Sequence, residues 1–94
     1  MREIVWTSAF TRSFRKVVRS RPDLRSVIEA VLRQLTEDPF HPTLHSHKLK
    51  GPLRGVWACT VEYDFRILFE FIQETEAGDE VILLLTIGTH DEVY

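Results

Sequence analysis

The sequence contains a single cysteine, Cys59, and no long apolar run. One cysteine excludes an internal disulfide and a cysteine-based zinc site, and it favours a reducing compartment. The longest apolar run, residues 81–85, has five residues, whereas a membrane helix needs about 20. The N-terminus also lacks the apolar core of a signal peptide. We therefore expect a cytoplasmic protein with no membrane span.

Positive charge is absent from the last third of the chain. All twelve Lys and Arg lie in residues 1–66 together with seven acidic residues, whereas residues 67–94 hold seven acidic residues and no basic one. The formal net charge of −2 therefore combines a basic portion of +5 with an acidic portion of −7. The overall charge argues against a generic nucleic-acid binder, but the basic portion can still contact phosphates.

The length of 94 residues, with 44% hydrophobic and 28% charged residues, is typical of one compact domain. We therefore predict a single domain over residues 1–94. Apolar residues at helical spacing predict one helix over residues 9–19 and a second that begins at Pro22 and ends before Pro39. Runs of β-branched and aromatic residues predict four strands, at residues 2–7, 56–63, 65–72 and 81–87.

The element order β-α-α-β-β-β predicts an α+β fold, in which a helical hairpin packs on a mainly antiparallel four-stranded sheet. The last strand is apolar on both faces and is expected in the middle of the sheet. Residues 38–54 carry three prolines and three histidines without an apolar period, so they are expected to form a long connection. A turn is expected at residues 77–79, and both tryptophans are expected in the core.

Four polar residues fall near the predicted strand ends, which brings distant parts of the chain together. We predict that His47, Asp64, Arg66 and His90 converge on one concave surface, with Tyr94 close by. Such a set suits RNA cleavage by internal attack, which needs a base for the ribose 2′-OH, an acid for the leaving 5′ oxygen and a cation for the transition state. This chemistry needs no metal or other cofactor.

Other residues near this surface are suited to holding RNA. Lys48, Lys50 and Arg54 are candidates for phosphate contacts, and Phe65 and Tyr94 for stacking on bases. The same residue types also have purely structural interpretations. His90 can end a strand, Asp64 can be a turn residue or pair with Arg66, and the basic residues can form a solvated face. His45 and His47 lack a third metal ligand, so we predict no metal site.

The order and spacing of several segments resemble the RelE/ParE toxin superfamily, and its YafQ branch most. The resemblance covers nearly the whole chain, and its most specific part is the closing Gly-Thr-His-Asp-Glu-Val-Tyr after an apolar strand. The other matching segments are Asp38-Pro39, His47-Lys48-Leu49-Lys50-Gly51, Gly55-Val56-Trp57 and Tyr63-Asp64-Phe65-Arg66-Ile67-Leu68-Phe69.

This resemblance implies the toxin of a type II toxin–antitoxin system. Such a toxin is expected to cleave mRNA in the ribosomal A site and to be held inactive in a hetero-oligomer with a cognate antitoxin. Two other activities remain open: ParE-like binding to gyrase without catalysis, and an inactive module that only binds antitoxin.

The resemblance also implies roles for individual residues. His47, Asp64, His90 and Tyr94 match functional positions of the YafQ branch, and Phe65 stands where YafQ has a tryptophan. Arg66 matches a strand arginine that RelE-like members direct at the scissile phosphate, whereas YafQ has an apolar residue there. Thr60 replaces a further active-site histidine of YafQ. The sequence therefore predicts a site intermediate between the two types.

Overall fold

The computed structural model describes residues 2–73 and 80–94. These residues form a mixed α+β structure with five strands, two long helices and one short helix. In chain order the elements are β1 Glu3–Trp6, α1 Ser8–Ser20, α2 Leu24–Glu37, β2 His47–Lys48, β3 Trp57–Thr60, β4 Phe65–Gln73, β5 Glu80–Thr89 and α3 His90–Val93. Within these described ranges, no helix has the length and hydrophobicity needed to cross a bilayer.

The five strands form one sheet in the order β1-β5-β4-β3-β2. β1 runs parallel to β5, and every other neighbouring pair is antiparallel. The predicted α+β fold is confirmed, and so is the interior position of the last strand, which has a neighbour on each side. The expectation of four strands is wrong, because His47 and Lys48 pair with Ala58 and Trp57 as an added edge strand. Two residues are too few to show a strand period in the sequence.

Both predicted helices are present, with shifted ends. The Thr7 hydroxyl accepts a hydrogen bond from the Phe10 amide and caps α1. α2 begins at Leu24 and not at Pro22 as predicted. The amide of Leu24 bonds to the carbonyl of Arg21, three residues back, so a tight turn occupies the place of the expected first helical turn.

The main core lies between the two long helices and one face of the sheet. Trp6 is an exception to the predicted core: it is 42% exposed and meets the rings of Phe10 and Phe14 edge-on. Trp57 is half-buried against the same core. The fully buried side chains that fill the layer include Phe10, Leu24, Ile28, Leu35, Ile67, Phe69, Ile82 and Leu84. The turn predicted at residues 77–79 lies outside the described residues.

The other face of the sheet, here called the open face, carries a smaller apolar cluster. Its buried members are Val56, Ala58 and Leu68. Paired residues of neighbouring strands share a face, and successive residues of a strand alternate. His47 pairs with Ala58 and therefore lies on the open face, as does Arg66, which is two residues from Leu68. The fold thus places two of the candidate catalytic residues on the side of the sheet away from the main core.

Candidate active site on the open face

Arg66 is half-buried on the open face, and its side chain is hydrogen-bonded to the β3–β4 hairpin. Its Nη1 donates hydrogen bonds to the carbonyl oxygens of Glu62, Tyr63 and Phe65 at 3.2, 3.1 and 3.0 Å. In the described part of the chain, neither Nε nor Nη2 of Arg66 has a hydrogen-bond partner, so these donors remain available to a ligand. The structure shows no ion pair between Arg66 and Asp64 in that part of the chain, so the hairpin backbone takes the place of the carboxylate.

The short helix α3 carries His90 and leads to Tyr94, and its first turn is closed by a capping box. The Thr89 hydroxyl accepts a bond from the Glu92 amide, and the Glu92 carboxylate accepts one of 2.8 Å from the Thr89 amide. Lys16 of α1 lies 3.7 Å from the same carboxylate. The cap and this ion pair fix the direction in which α3 leaves β5.

Gly88 allows α3 to pack closely against the end of β5. A Cβ atom at this position would lie 3.1 Å from Oε1 of Glu92 and 3.2 Å from Cγ1 of Val93. Gly88 also pairs with Arg66 across the sheet. The absence of a side chain at Gly88 therefore lets α3 pack against the pair of strands that carries Arg66.

His90 begins α3 and is bound to the hairpin through its backbone. Its amide donates a 3.0 Å hydrogen bond to the carbonyl of Asp64. The imidazole is exposed, and its Nδ1 lies 3.6 Å from a carboxylate oxygen of Asp91, which forms an ion pair with the ring when the ring is protonated. The ring of Tyr94 meets His90 edge-on, with 4.4 Å between the ring centroids.

Tyr94 connects His90 to His47. The Tyr94 hydroxyl lies 3.5 Å from Nε2 of His47, while Nδ1 of His47 is 3.0 Å from the carbonyl oxygen of His45. A carbonyl oxygen only accepts hydrogen bonds, so the neutral ring of His47 carries its proton on Nδ1 and presents the lone pair of Nε2 to Tyr94. This is the form of histidine that can accept a proton from a substrate hydroxyl.

Partial burial raises the pKa of the Tyr94 phenol, and the positive charge of Arg66 opposes part of that rise. Tyr94 therefore stays protonated at neutral pH and remains a hydrogen-bond donor. Beneath the site, burial raises the pKa of the Cys59 thiol to about 12. Cys59 is therefore a neutral core residue at neutral pH and not a nucleophile.

The structure brings together His47, Arg66, His90 and Tyr94, with the Asp64 backbone holding one edge. The Asp64 side chain itself is exposed at the hairpin. Two of the residues predicted to hold RNA lie elsewhere. Phe65 pairs with Thr89 and packs against the main core, and the ammonium of Lys48 lies over Trp57 on the helix side of the sheet.

The remaining predicted phosphate contacts lie beside the open face. Lys50 and Arg54 are both exposed on the connection between β2 and β3. Leu49 and Leu53 of that connection pack against the apolar cluster of the open face. These contacts hold the connection, and with it Lys50 and Arg54, on the side of the sheet that carries His47.

The residues that position α3 were not among the predicted site residues. Thr89 and Glu92 show the Thr-x-x-Glu pattern of a capping box, which was a readable signal. Gly88 had no comparable signal, because only the folded chain shows what a side chain there would meet. Tyr63, which is 93% exposed at the tip of the hairpin, was also not singled out.

The charge of Glu92 should stabilise α3 in a pH-dependent way. The Thr89 amide and hydroxyl, with a smaller effect from Lys16, hold the pKa of the Glu92 carboxyl below its usual value. A lowered pKa contributes stability above the normal carboxyl range, and that stability is lost as the pH falls through the lowered value. Because Glu92 is exposed, we expect Glu92→Gln to lower the melting temperature at pH 7 by only about 2 °C.

Thermal unfolding at pH 7 and pH 3 tests this expectation. The difference between the wild type and Glu92→Gln should be smaller at pH 3 than at pH 7, because the wild-type carboxylate loses its charge as the pH falls through its lowered pKa. An equal difference at both pH values would show that the charge of Glu92 has no part in it.

The described residues contain no group of three or more His, Cys, Asp and Glu side chains arranged to hold a metal ion. Tyr94 contacts both His47 and His90. The arrangement offers one proton acceptor, one proton donor and one fixed positive charge on a single surface.

Several solved structures with the same fold are described as toxins. A metal-bound toxin from Helicobacter pylori is 24% identical, with a TM-score of 0.77 and full coverage of both chains. A YoeB/ParE toxin from Agrobacterium tumefaciens is 17% identical, with a TM-score of 0.76 and coverage of 94% of this chain and 98% of that one. The E. coli DinJ–YafQ complex contains a chain that is 16% identical, with a TM-score of 0.77 and coverage of 100% and 99%.

Comparison with models of protein families identifies the family of this chain. The model described as the bacterial toxin of a type II toxin-antitoxin system, YafQ, matches residues 2–94. The chain therefore belongs to the YafQ family of type II toxins, which confirms the resemblance seen in the sequence. A search of curated protein sequences found no match.

Proposed function

We propose that this toxin is a ribosome-dependent endoribonuclease that cleaves mRNA in the A site. The observation that carries the proposal is the connected set of His47, Tyr94 and His90 beside the Arg66 guanidinium. The set supplies the three groups that internal attack on a phosphodiester requires. It uses no metal or cofactor, because the proton transfers are assigned to histidines.

The proposed reaction follows from the positions of the donors and acceptors. His47 accepts the proton of the ribose 2′-OH at Nε2, and the 2′ oxygen forms a bond to phosphorus. The bond from phosphorus to the 5′ oxygen breaks, and protonated His90 donates a proton to that oxygen. The products are a 2′,3′-cyclic phosphate and a free 5′-OH. Arg66 holds the negative charge that develops on the phosphate oxygens.

Two of the predicted residues have supporting roles in this proposal. Tyr94 donates to His47 until the substrate hydroxyl replaces it, since a contact of 3.5 Å is at the limit of a hydrogen bond. Asp64 acts through its carbonyl, which holds the start of α3. We therefore assign Asp64 to positioning and not to proton transfer.

We further propose that a cognate antitoxin neutralises this toxin by binding over the site, as part of a toxin–antitoxin hetero-oligomer. Family membership and the DinJ–YafQ complex support this partner. A flexible antitoxin segment that folds on binding would follow the open face, where Lys50 and Arg54 attract acidic side chains.

Primer extension on a reporter mRNA in a reconstituted translation reaction tests the proposed activity. Wild-type toxin should cleave only in the presence of ribosomes and should leave a 2′,3′-cyclic phosphate. We expect His90→Asn to lower the cleavage rate about 100-fold, because it removes one acid–base group and keeps a polar side chain of similar size.

His45→Asn is the matched control, because His45 is exposed outside the set and its positive φ of 50° suits asparagine. This variant should cleave like the wild type. Cleavage by His90→Asn at the wild-type rate would refute the role of His90. Folded wild-type toxin that cleaves no mRNA but inhibits DNA supercoiling by gyrase would instead establish the ParE-like alternative, and inactivity in both assays would establish a module that only binds antitoxin.

A further inference from the structure

An exposed aromatic cluster lies on the helix side of the sheet, near the start of β3. Phe40 lies 5.3 Å from the ring of Trp57 and 5.7 Å from that of Phe71, measured between ring centroids. Phe40 is nevertheless 52% exposed, so one side of the cluster faces solvent. An aromatic ring in this position can stack on a planar ligand at little conformational cost.

The three rings line a cavity of about 290 Å³ together with Arg2, Lys48 and Glu80. The Lys48 ammonium lies 5.6 Å from the centroid of the Trp57 ring, and the Arg2 guanidinium lies 5.6 Å from that of Phe71. Arg2 forms a 3.1 Å ion pair with Glu80. Among residues 2–73 and 80–94, Lys48 forms no ion pair, and its ammonium is exposed beside the cavity.

The lining favours a nucleotide over an apolar side chain of a protein partner. Hot-spot pockets for protein partners are well packed and fully desolvated, whereas this cavity combines three aromatic rings with three charged groups. Aromatic faces next to a cation are the combination that binds single-stranded nucleic acids. The volume is close to the lower limit for small-ligand pockets, about 300 Å³, which suits one base.

The cavity and the candidate active site lie on opposite faces of the sheet, and both adjoin β2. β2 is the outermost strand of the sheet, and its two residues alternate between the faces. His47 lies on the open face and Lys48 on the side of the aromatic cluster. An RNA strand that passes over this edge would contact the catalytic set, which comprises His47, Arg66, His90 and Tyr94, on one face and the cavity on the other.

We infer that this cavity is a second subsite for the RNA substrate, in which one base stacks on Phe40 and the adjoining phosphate binds Lys48. The choice of RNA as ligand rests on the proposed function. The subsite holds nucleotides next to the scissile phosphate but takes no part in proton transfer. Lys48 thus keeps the phosphate role expected from the sequence, on the opposite side of the strand from His47.

Fluorescence of single-tryptophan variants tests whether RNA enters the cavity. The probe is a ten-nucleotide single-stranded RNA with 2′-O-methyl groups, which cannot undergo internal attack. In Trp6→Phe the remaining Trp57 reports on the cavity, and binding should change its emission. In the matched control Trp57→Phe the remaining Trp6 lies against α1, and its emission should not change.

Two further variants, made in the Trp6→Phe background, measure the contributions of ring and charge. Phe40→Leu keeps an apolar side chain but removes the ring, and we expect it to weaken RNA binding about five- to 150-fold, as loss of one stacked base does. Lys48→Gln should reduce the slope of log K against log salt by about 0.7, the value for one phosphate contact on a single strand. The control is Arg33→Gln, which removes an exposed positive charge from α2. It should change neither the RNA affinity nor the salt slope. Circular dichroism establishes that each variant is folded.

The proposal is overturned if Phe40→Leu binds RNA like its parent, or if RNA leaves the Trp57 emission unchanged. It is also overturned if Phe40→Leu weakens binding of antitoxin but not of RNA, because the cavity would then be a protein-binding surface. The outcome is separable from that of the proposed function. RNA binding that depends on Phe40, in a toxin whose cleavage does not depend on His90, would retain the subsite and reject the catalytic assignment.

Discussion

Replacing Arg66 with alanine is expected to lower the rate of ribosome-dependent mRNA cleavage at least about 1,000-fold. Among the described residues, the guanidinium is the one cation fixed within the catalytic set, and stabilising charge on a transferring phosphate is usually among the largest contributions to catalysis. Three backbone hydrogen bonds from Nη1 hold the group in place, so little reorganisation is needed during the reaction. Single-turnover primer extension on stalled ribosomes measures the effect directly.

Arg66→Ala also removes the bonds that close the hairpin, so a structural effect must be separated from a catalytic one. Arg66→Lys keeps the positive charge but cannot bind two phosphate oxygens with a planar fork, and it should recover only part of the rate. Arg54→Ala removes an exposed arginine from the neighbouring connection and should cost no more than a few-fold. Equal cleavage rates for Arg66→Ala and the wild type, in folded protein, would contradict the assigned role.

Replacing Gly88 with valine is expected to remove activity almost completely, by a different route. A single Cβ already lies only 3.1–3.3 Å from Glu92 and Val93. The two further methyl groups of valine have no room unless α3 moves away from β5. His90 and Tyr94 then lose their positions together, and we expect the cleavage rate to fall at least about 1,000-fold, since misplacement by about 1 Å already costs about 100-fold.

The sheet should survive this substitution, because valine is well suited to a strand. Amide chemical shifts measured by NMR should therefore change around α3 and the hairpin but not in α2. Gly88→Ala should have a smaller effect, and Val93→Ala should partly restore the activity of Gly88→Ala by relieving one of the close contacts. A fully active Gly88→Val toxin would show that the docked position of α3 is not required.

The sequence was sufficient for the fold where the apolar pattern extends over several turns or a full strand. The stripe on α2 and the double-sided apolar run of β5 each have one stable arrangement, in which the helix covers the sheet and the strand lies in its interior, between two neighbours. β2 was not predicted, because two residues form no pattern. Its existence depends on hydrogen bonds to β3 that only the folded chain supplies.

The part of the candidate site that lies at strand ends could be predicted from the sequence. His47, Arg66 and His90 were expected to meet, and the structure brings them to one surface through Tyr94. The face on which each side chain lies depends on strand register, because a shift of one residue moves every side chain of a strand to the other face. For that reason Phe65 and Lys48 were expected beside the site, whereas they lie on the other side of the sheet.

The position of β5 between β1 and β4 has a consequence for the order of events during synthesis. β1 leaves the ribosome first, but its hydrogen-bonding partner lies almost eighty residues further along the chain. Until β5 emerges, β1 has no neighbour, β4 lacks one of its two neighbours, and α3 has no strand from which to extend. Long-range pairing of this kind also forms slowly, because the chain loses the entropy of loop closure before the stabilising contacts are made. A ribosome that makes this toxin therefore carries no assembled candidate site through most of its translation, because the site forms only when the last strand joins the sheet.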